Sequence, residues 1–201
     1  DIRRSAGDLT TIIDAIIDLS AIDAGAMELK LADVNVAGIL QSVAVKLSLA
    51  VADREQTLHV EIAEGTPEIV GDPQRIEQIL TNLLSNAVGF SARGGEIRMG
   101  ARRSGSFVQI WVADTGRGID PEFQQKVFER FQSKPLPGGH RGPWLGLAIV
   151  KSFTELHGGN VSLVSKPNQG TTVVCTLPVS GPVRQTQHDL AIGQNSPKRV
   201  A

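Results

Sequence analysis

The sequence has 201 residues, a formal net charge of −1 at pH 7 and a hydrophobic content of 41%. This apolar share suffices for a compact domain with a core, and the near-neutral charge excludes the basic field with which proteins attract nucleic acid or an anionic membrane. The single cysteine, Cys175, excludes an internal disulfide and agrees with a reducing compartment, and its strand-like surroundings predict a small buried hydrophobe.

The sequence shows neither a membrane span nor a targeting signal. No apolar run reaches membrane-spanning length, and no signal peptide opens the chain. Because the sequence begins inside a helical pattern, we expect it to be a fragment of a longer protein. We therefore expect a cytoplasmic location, with membrane contact only through upstream segments.

The first predicted helix covers residues 5–29, where apolar residues recur at steps of three and four. The stripe is wider than one flanking surface needs, which is typical of a bundle helix with two or more neighbours. Its members are Leu9, Ile12, Ile13, Ile16, Ile17, Leu19 and Ile22. We interpret the opposite face as a solvated acidic face that carries Asp8, Asp14, Asp18 and Asp23.

The middle of the chain mixes helical and strand patterns, which predicts helices on one face of a mixed sheet, a two-layer α/β sandwich of the α+β class. After an extended entry at residues 33–36, helices are predicted over 36–53, 72–91 and 145–156, and strands over 57–62, 68–70, 96–101, 107–113, 160–165 and 171–177. His157 precedes two glycines and is predicted to be a last-turn residue rather than a ligand. The polar composition of residues 180–201 predicts a flexible tail.

The helix over residues 72–91 organises the chain. Asp72 suits its N-cap and Pro73 its first turn. Asn82 and Asn86 lie one turn apart beside the apolar stripe, so their carboxamides point the same way. Such a pair suits Mg²⁺, which prefers oxygen ligands. From the spacing alone, two solvated asparagines are an equal alternative.

The wording of this helix resembles the N-box of sensor histidine kinases, in which an aspartate, an arginine and a glutamine precede N-L-L-x-N-A. The matching residues are Asp72, Arg75, Gln78, Asn82, Leu83, Leu84, Asn86 and Ala87. Residues 18–29 resemble the end of the second helix in the dimerisation and phosphotransfer domain of the same kinases. That resemblance implies a homodimer through the N-terminal helix, whose stripe a second copy of the chain would cover.

The phosphoacceptor histidine of the family lies on a first helix that this sequence does not contain. None of the four histidines, His59, His140, His157 and His188, has the required setting. The catalytic phosphoacceptor is therefore unknown.

The segment that ends the strand over 107–113 supplies a D-x-G-x-G-I pattern. Asp114 offers a carboxylate to an exocyclic amine, while Gly116 and Gly118 permit positive φ and close approach of the backbone to a flat ring. A tight turn is the alternative interpretation. At this distance from an N-box the pattern resembles the G1 box, which implies that Asp114 contacts adenine.

Two further segments resemble the remaining boxes of the family. Phe123 and residues 127–131 resemble the F-box, and we predict that Phe128 and Phe131 anchor a loop base in the core rather than contact ligand. Residues 132–144 are rich in Pro and Gly and lie where the family has its ATP lid. Residues 142–150 resemble the G2 box, which implies phosphate binding by the loop–helix start at Gly142, Gly146 and Leu147.

Together these boxes imply the Bergerat ATP-binding sandwich, with ATP and Mg²⁺ as cofactors and Asn86 as the metal ligand. We expect a bundle helix over residues 1–30, a catalytic ATP-binding-like domain over 31–179 and the tail over 180–201. The resemblance spans roughly residues 8–178.

The sequence departs from the family pattern at two positions. Gly89 stands where the N-box usually has a phosphate-facing Lys or Arg, and Trp144 stands where G2 has its middle glycine, after Pro143. We hypothesise a weakened nucleotide site. Arg93 is close enough in sequence to replace the missing cation. The alternative is that Trp144 turns outward without harm.

Three functions compete. The first is an ATP-dependent protein kinase of the two-component type with a response regulator as partner. The second is a repurposed pseudokinase that acts as a response-regulator-binding scaffold, which the two departures and the missing phosphoacceptor favour. The third is a Bergerat ATPase of the gyrase or MutL kind, against which the wording of residues 18–29 argues. No nucleic acid partner is expected.

Overall fold

The computed structural model describes residues 2–129 and 145–182, with side chains from residue 13 to 129 and from 146 to 182. The predictions for Phe131, His140, Gly142, Pro143, Trp144 and His188, and for the tail from residue 183 onward, lie outside the described residues.

Within the described ranges the chain forms five helices and seven strands. The helices are α1 Ile2–Asp23, α2 Val36–Asp53, α3 Pro73–Phe90, α4 Pro121–Gln124 and α5 Leu145–Leu156. The strands are β1 Ala32–Val34, β2 Thr57–Ile62, β3 Ile69–Gly71, β4 Glu96–Ser104, β5 Phe107–Asp114, β6 Asn160–Ser165 and β7 Thr171–Pro178. The short helix α4 was not predicted from the sequence.

The central sheet has five strands in the order β2-β4-β5-β7-β6, and only the β2–β4 pair is parallel. Strands β1 and β3 form a separate antiparallel pair. Alternate residues of β4, β5 and β7 are buried, and their registers place Met99 beside Val112, and Val112 beside Val173. This face packs against α2, α3 and α5, whereas the opposite face carries exposed charges such as Arg98 and Arg102. The structure confirms the predicted α+β sandwich.

The packing of the core confirms the prediction for Cys175. Its side chain is fully buried on β7, and burial raises the pKa of the thiol to about 12. The thiol therefore stays protonated and acts as a small apolar group.

Helix α2 is long and apolar enough to cross a membrane by length and composition alone, which the sequence analysis did not anticipate. In the structure it packs against α3 and β2, with Leu40 and Val43 fully buried. Its outer face leaves Val45 and Leu49 exposed. The apolar composition of α2 is thus also explained by its position in the sandwich, where one face of the helix is buried.

Helix α1 ends at Asp23, so the prediction of a helix to residue 29 was wrong. Gly25 adopts a φ of +64°. The Gly25 N–H donates to the Ile22 carbonyl and the Ala26 N–H to the Ala21 carbonyl, both at 2.9 Å. These bonds form a Schellman cap, and a glycine in the left-handed conformation terminates the helix.

The wide apolar stripe of α1 has two parts. Ala15 and Leu19 are buried where α1 packs against α5 of the same chain. Ile13, Ile16 and Ile17 remain exposed. One neighbour of the bundle helix is therefore the sandwich itself, and cover of the exposed part by a second copy stays a prediction.

The interpretation of Asp18 as a solvated residue was wrong. Its side chain is only 13% exposed and pairs with the Arg75 guanidinium at 3.1 Å. Gln78 Nε2 donates to the same carboxylate at 3.0 Å, and the guanidinium lies 4.9 Å from the centroid of the Phe153 ring. Asp14 is exposed as expected. The polar face of α1 thus binds α3 through one ion pair.

A buried aspartate joins three segments at the start of α3. The Asp72 carboxylate accepts hydrogen bonds from the N–H groups of Gln74, Arg75 and Lys30 at 3.0, 3.2 and 2.9 Å. The Asp72 N–H donates to His157 Nε2 at 3.0 Å. His157 Nδ1 lies 2.7 Å from the Phe153 carbonyl and must therefore carry the proton. His157 is buried beyond the end of α5 in agreement with its predicted structural role.

Loss of the Asp18–Arg75 ion pair is expected to destabilise the fold, because the partly buried charge that remains has lost its partner of opposite charge. In a double-mutant cycle of Asp18→Asn and Arg75→Met, urea denaturation should give a coupling energy of about 1–3 kcal/mol. The pair Lys46–Glu77 is the matched control, since its side chains are 58% and 37% exposed. Its coupling should stay below about 1 kcal/mol. Equal coupling in the two cycles would contradict this assignment.

Protonation of His157 is expected to destabilise the folded chain. Burial lowers the pKa of His157 below its ordinary value of 6.5, and this effect exceeds the opposing effects of the Phe153 carbonyl and the Asp72 charge. The unfolded state therefore binds the proton more readily. The stabilising contribution is complete above about pH 6.5 and is lost as the pH falls below that value. The free energy of unfolding should fall from pH 7.5 to 5.5 by at most about 1.4 kcal/mol per pH unit.

The substitution His157→Gln tests this effect in urea denaturation at each pH. It should remove most of the pH dependence, although it lowers the overall stability. His59→Gln is the control, since His59 is exposed on β2 and lies 3.6 Å from Glu96. A pH dependence that persists in H157Q and disappears in H59Q would overturn the assignment.

Candidate functional site

A pocket opens between α3, the end of β5 and the first turn of α5. Its apolar wall includes Leu83, Ala87, Phe90, Ile119 and Leu147, and its polar groups come from Asn86, Asp114 and Arg117. The space between them is about 540 Å³, open solvent at its mouth included. The pocket is thus an apolar slot with few polar groups.

Asn86 lies on the face of α3 that faces this slot. A Cβ atom added to Gly146 would lie 3.6 Å from both Asn86 Nδ2 and Asn82 Oδ1. The two carboxamides and the start of α5 are therefore neighbours. Asn82 itself lines an adjoining polar groove with Arg75 and Gln78, and its buried Nδ2 has no hydrogen-bond partner among the described residues.

Asp114 ends β5 at the opposite wall of the pocket. Its Oδ1 accepts a hydrogen bond from the Gly116 N–H at 2.8 Å. Burial raises the pKa of the carboxyl, while backbone hydrogen bonds from Gly116 and Thr171 act in the lowering direction. The carboxylate is thus held in place and partly desolvated, which strengthens its interaction with a donor.

The two glycines that follow Asp114 are needed for packing within the protein. A Cβ on Gly116 would lie 2.6 Å from the Phe90 carbonyl oxygen. Gly118 has a φ of +68°, and a Cβ there would overlap the Lys166 carbonyl oxygen. At both glycines the nearest atom that a side chain would meet belongs to the protein's own backbone. The close approach that the glycines permit is therefore to this backbone, and not to the ring of a ligand as predicted.

The structure brings together most of the predicted site residues. Asn86, Asp114, Gly118 and Leu147 line one pocket, Gly146 adjoins Asn86, and Gly116 holds Asp114. Gly142 lies outside the described residues. The sequence analysis missed Arg117 and Thr171, although Arg117 lies within the G1 pattern and could have been found there.

Two positions near the pocket bear on the expected loss of charge. Gly89 faces open space, since no atom lies within 4 Å of an added Cβ. Arg93 donates hydrogen bonds to the Asp53 carbonyl at 3.1 Å and to Glu55 Oε1 at 2.6 Å. Arg93 is thus engaged at the end of α2 in an exposed ion pair, and its replacement of the missing cation stays a prediction.

The described part of the F-box agrees with the predicted anchoring role. Phe123 and Phe128 are partly buried and pack against the core. Neither lines the pocket.

Comparison with known proteins shows which family shares this sequence and fold. Residues 71–181 match the family described as "Histidine kinase-, DNA gyrase B-, and HSP90-like ATPase". The chain belongs to this family. Its predicted membership among the sensor histidine kinases is also confirmed by the relatives that it resembles.

Three relatives illustrate the match. Sensor protein DivL of Caulobacter vibrioides is 38% identical over 177 residues, which cover 88% of this chain and 22% of DivL. Full-length ShkA, solved in complex with AMPPNP, has a TM-score of 0.78 at 30% identity over 89% of this chain and 38% of ShkA. The histidine kinase ThkA, solved with the response regulator TrrA, has a TM-score of 0.71 at 21% identity over 89% of this chain and 49% of ThkA, and shares the fold.

This chain thus spans less than half of each of these proteins. What it has in common with them is the ATP-binding catalytic domain of two-component histidine kinases.

Gly118→Ala is expected to destabilise the chain more than Gly94→Ala. The φ values are +68° and +76°, so both alanines are strained by about 1–2 kcal/mol. Only at Gly118 would the new methyl group overlap backbone, since nothing lies within 4 Å of a Cβ on Gly94. Urea denaturation should show an additional loss of at least about 1 kcal/mol for G118A. Equal losses would show that the packing against Lys166 is unimportant.

Proposed function

We propose that this chain binds ATP and Mg²⁺ in the described pocket and serves the phosphoryl-transfer reaction of a sensor histidine kinase. The observation that carries the proposal is the convergence of Asn86, Asp114 and Gly146 on one cleft from three separate elements. The acceptor would be a side chain on the helical bundle to which α1 belongs. The whole protein would act in the cytoplasm with a response regulator as its partner, as ThkA does with TrrA in the solved complex.

The residues present fit the nucleotide and its metal. Asp114 is a partly buried acceptor that would hold the exocyclic amine of adenine. The Asn82 carboxamide lies beside the start of α5, and its Nδ2 donor, which has no partner among the described residues, suits a phosphate oxygen. Asn86 would offer its carboxamide oxygen to Mg²⁺, together with water and phosphate.

Asn86, Asp114 and the first turn of α5 would position the nucleotide, and the metal when bound would neutralise charge on the phosphates. The apolar wall around Leu83 and Phe90 would exclude water from the base. Gly116 would hold the Asp114 carboxylate, and Gly118 and Leu147 would line the pocket around the nucleotide. Gly142, which precedes α5 in the sequence, would contribute to phosphate binding.

We infer that the phosphate part of the site is weaker than in a fully equipped kinase. Gly89 offers no side chain, and Arg93 is engaged elsewhere. A charge-assisted hydrogen bond contributes about 1.5–3 kcal/mol, so its absence costs roughly ten- to a hundredfold in affinity where no other cation takes its place. Trp144 and Pro143 are the sequence-based grounds for a further reduction. Among the described residues, no comparable loss of a charged group affects the part of the pocket around Asp114 that would bind the base.

A pseudokinase scaffold is the second candidate, and the open space at Gly89 favours it. In that case the sandwich would be retained as a platform, with a homodimer formed through the exposed apolar residues of α1 and a response regulator bound to the bundle. The exposed stripe of Ile13, Ile16 and Ile17 supports such a contact.

Incubation of the longer natural protein with γ-labelled ATP and Mg²⁺ separates the two candidates. Transfer of label to the protein supports the kinase. Binding of a response regulator without any transfer of label supports the scaffold.

Asp114→Asn is expected to weaken the binding of both ATP and adenosine, because the lost charge acts on the base that the two ligands share. A neutral hydrogen bond in place of a charged one should lower affinity roughly tenfold. Isothermal titration calorimetry on the 201-residue chain measures both ligands, with the exposed Glu64→Gln as the control. If adenosine binding were unchanged in D114N, the contact between Asp114 and the base would be refuted.

A further inference from the structure

Arg117 is a cation beside the pocket that has no anionic partner among the described residues. It is the one cationic side chain among the described residues that line the pocket. Its guanidinium carbon lies 5.1 Å from the centroid of the Phe90 ring. Cation–π contacts at accessible sites are weak. The guanidinium is thus held loosely at a place where an anion would compete successfully for it.

The backbone that carries Arg117 is fixed. The Asn168 N–H donates to the Arg117 carbonyl at 2.7 Å. Gly116 and Gly118, its neighbours in sequence, lie against the carbonyl groups of Phe90 and Lys166. A movement of Arg117 toward a ligand is therefore confined to its side chain. Binding by this guanidinium therefore costs side-chain freedom but requires no rearrangement of the backbone, which favours affinity.

The guanidinium lies against Phe90, the residue that follows the uncharged position 89 on α3. Asn86, Gly89 and Phe90 are three and four residues apart and so share one face of the helix. Gly89 presents no side chain to this face, and no atom lies within 4 Å of a Cβ added there, while its carbonyl oxygen accepts a hydrogen bond from Arg54 Nη1 at 3.3 Å. The Arg117 guanidinium lies over the ring of the next residue, Phe90. Arg54 donates to backbone carbonyls at this end of α3, so the cation that lines the pocket itself comes from the loop after β5 instead of from α3.

We propose that Arg117 binds the phosphate groups of the nucleotide and supplies the positive charge that position 89 lacks. The inference rests on the proposed function, because it requires ATP in the pocket. On binding, the guanidinium would exchange the Phe90 ring for phosphate oxygens, with which it forms two parallel hydrogen bonds. Arg117 is a binding residue in this proposal and takes no part in bond making or breaking.

The test compares ATP with adenosine, which lacks the phosphates, by isothermal titration calorimetry on the full 201-residue chain. Arg117→Ala should lower ATP affinity roughly ten- to a hundredfold, since a charge-assisted hydrogen bond is lost. Adenosine affinity should change less than about twofold. Arg117→Lys keeps the charge but not the two parallel hydrogen bonds, so it should retain only part of the ATP affinity and lie between the wild type and R117A. The matched control is Arg102→Ala, which removes an exposed arginine from β4 and should change neither affinity.

A double substitution tests the link to position 89. If Arg117 replaces a cation at that position, Gly89→Lys should restore most of the ATP affinity lost in R117A and should add less in the wild-type chain. Gains of equal size in both backgrounds would show that the two positions act independently, which would overturn the link.

The outcomes separate this inference from the proposed function. If the wild-type chain binds neither ligand, both are refuted. If ATP binds and R117A binds it equally well, only the role of Arg117 is refuted. Equal losses for ATP and adenosine would assign Arg117 to the base and would also overturn the proposal. The thermal midpoint of R117A without nucleotide should match that of the wild type, which excludes unfolding as the cause.

Discussion

The hydrogen bonds of Asp72 determine where the central helix begins and what it can present. The carboxylate satisfies two free N–H groups of the first turn of α3 and the N–H of Lys30, while the backbone of the same residue binds His157 beyond α5. Gly71 is required beside it, since an added Cβ would lie 2.8 Å from Ile76 and 3.1 Å from the imidazole. Because α3 is fixed at this end, Asn86 and Phe90 reach the pocket from a rigid frame.

Much of the fold follows from local patterns. The bounds of α2, β2 and β6 agree with their predicted ranges, because periodicity and turn residues coincide there. The end of α1 was missed although Gly25 was visible in the sequence, since the helical spacing continues past it. Asp18 was misread because its partner lies 57 residues away, and no local pattern reports a contact of that range.

The candidate site was predictable to the extent that its residues stand in linear motifs. Asn86, Asp114 and the start of α5 were named from such motifs, and the sheet and helices bring them together. The motifs did not reveal what the glycines after Asp114 contact, or that Arg93 turns toward Glu55. They contained Arg117 but not its contact with Phe90, which depends on how the end of α3 packs against the loop after β5.

The short connection after α1 sets the geometry of any rearrangement between helix and sandwich. Only residues 26–29 separate Gly25, which closes the helix, from Lys30, whose N–H holds Asp72. At about 3.3–3.6 Å per residue, five steps extend no farther than roughly 18 Å. A rotation of the sandwich that separates Arg75 from Asp18 can leave the hydrogen bond between the Lys30 N–H and Asp72 intact. A motion of this kind would be a rotation of small radius about that point, and it would carry the pocket between α3 and α5 along an arc beside α1.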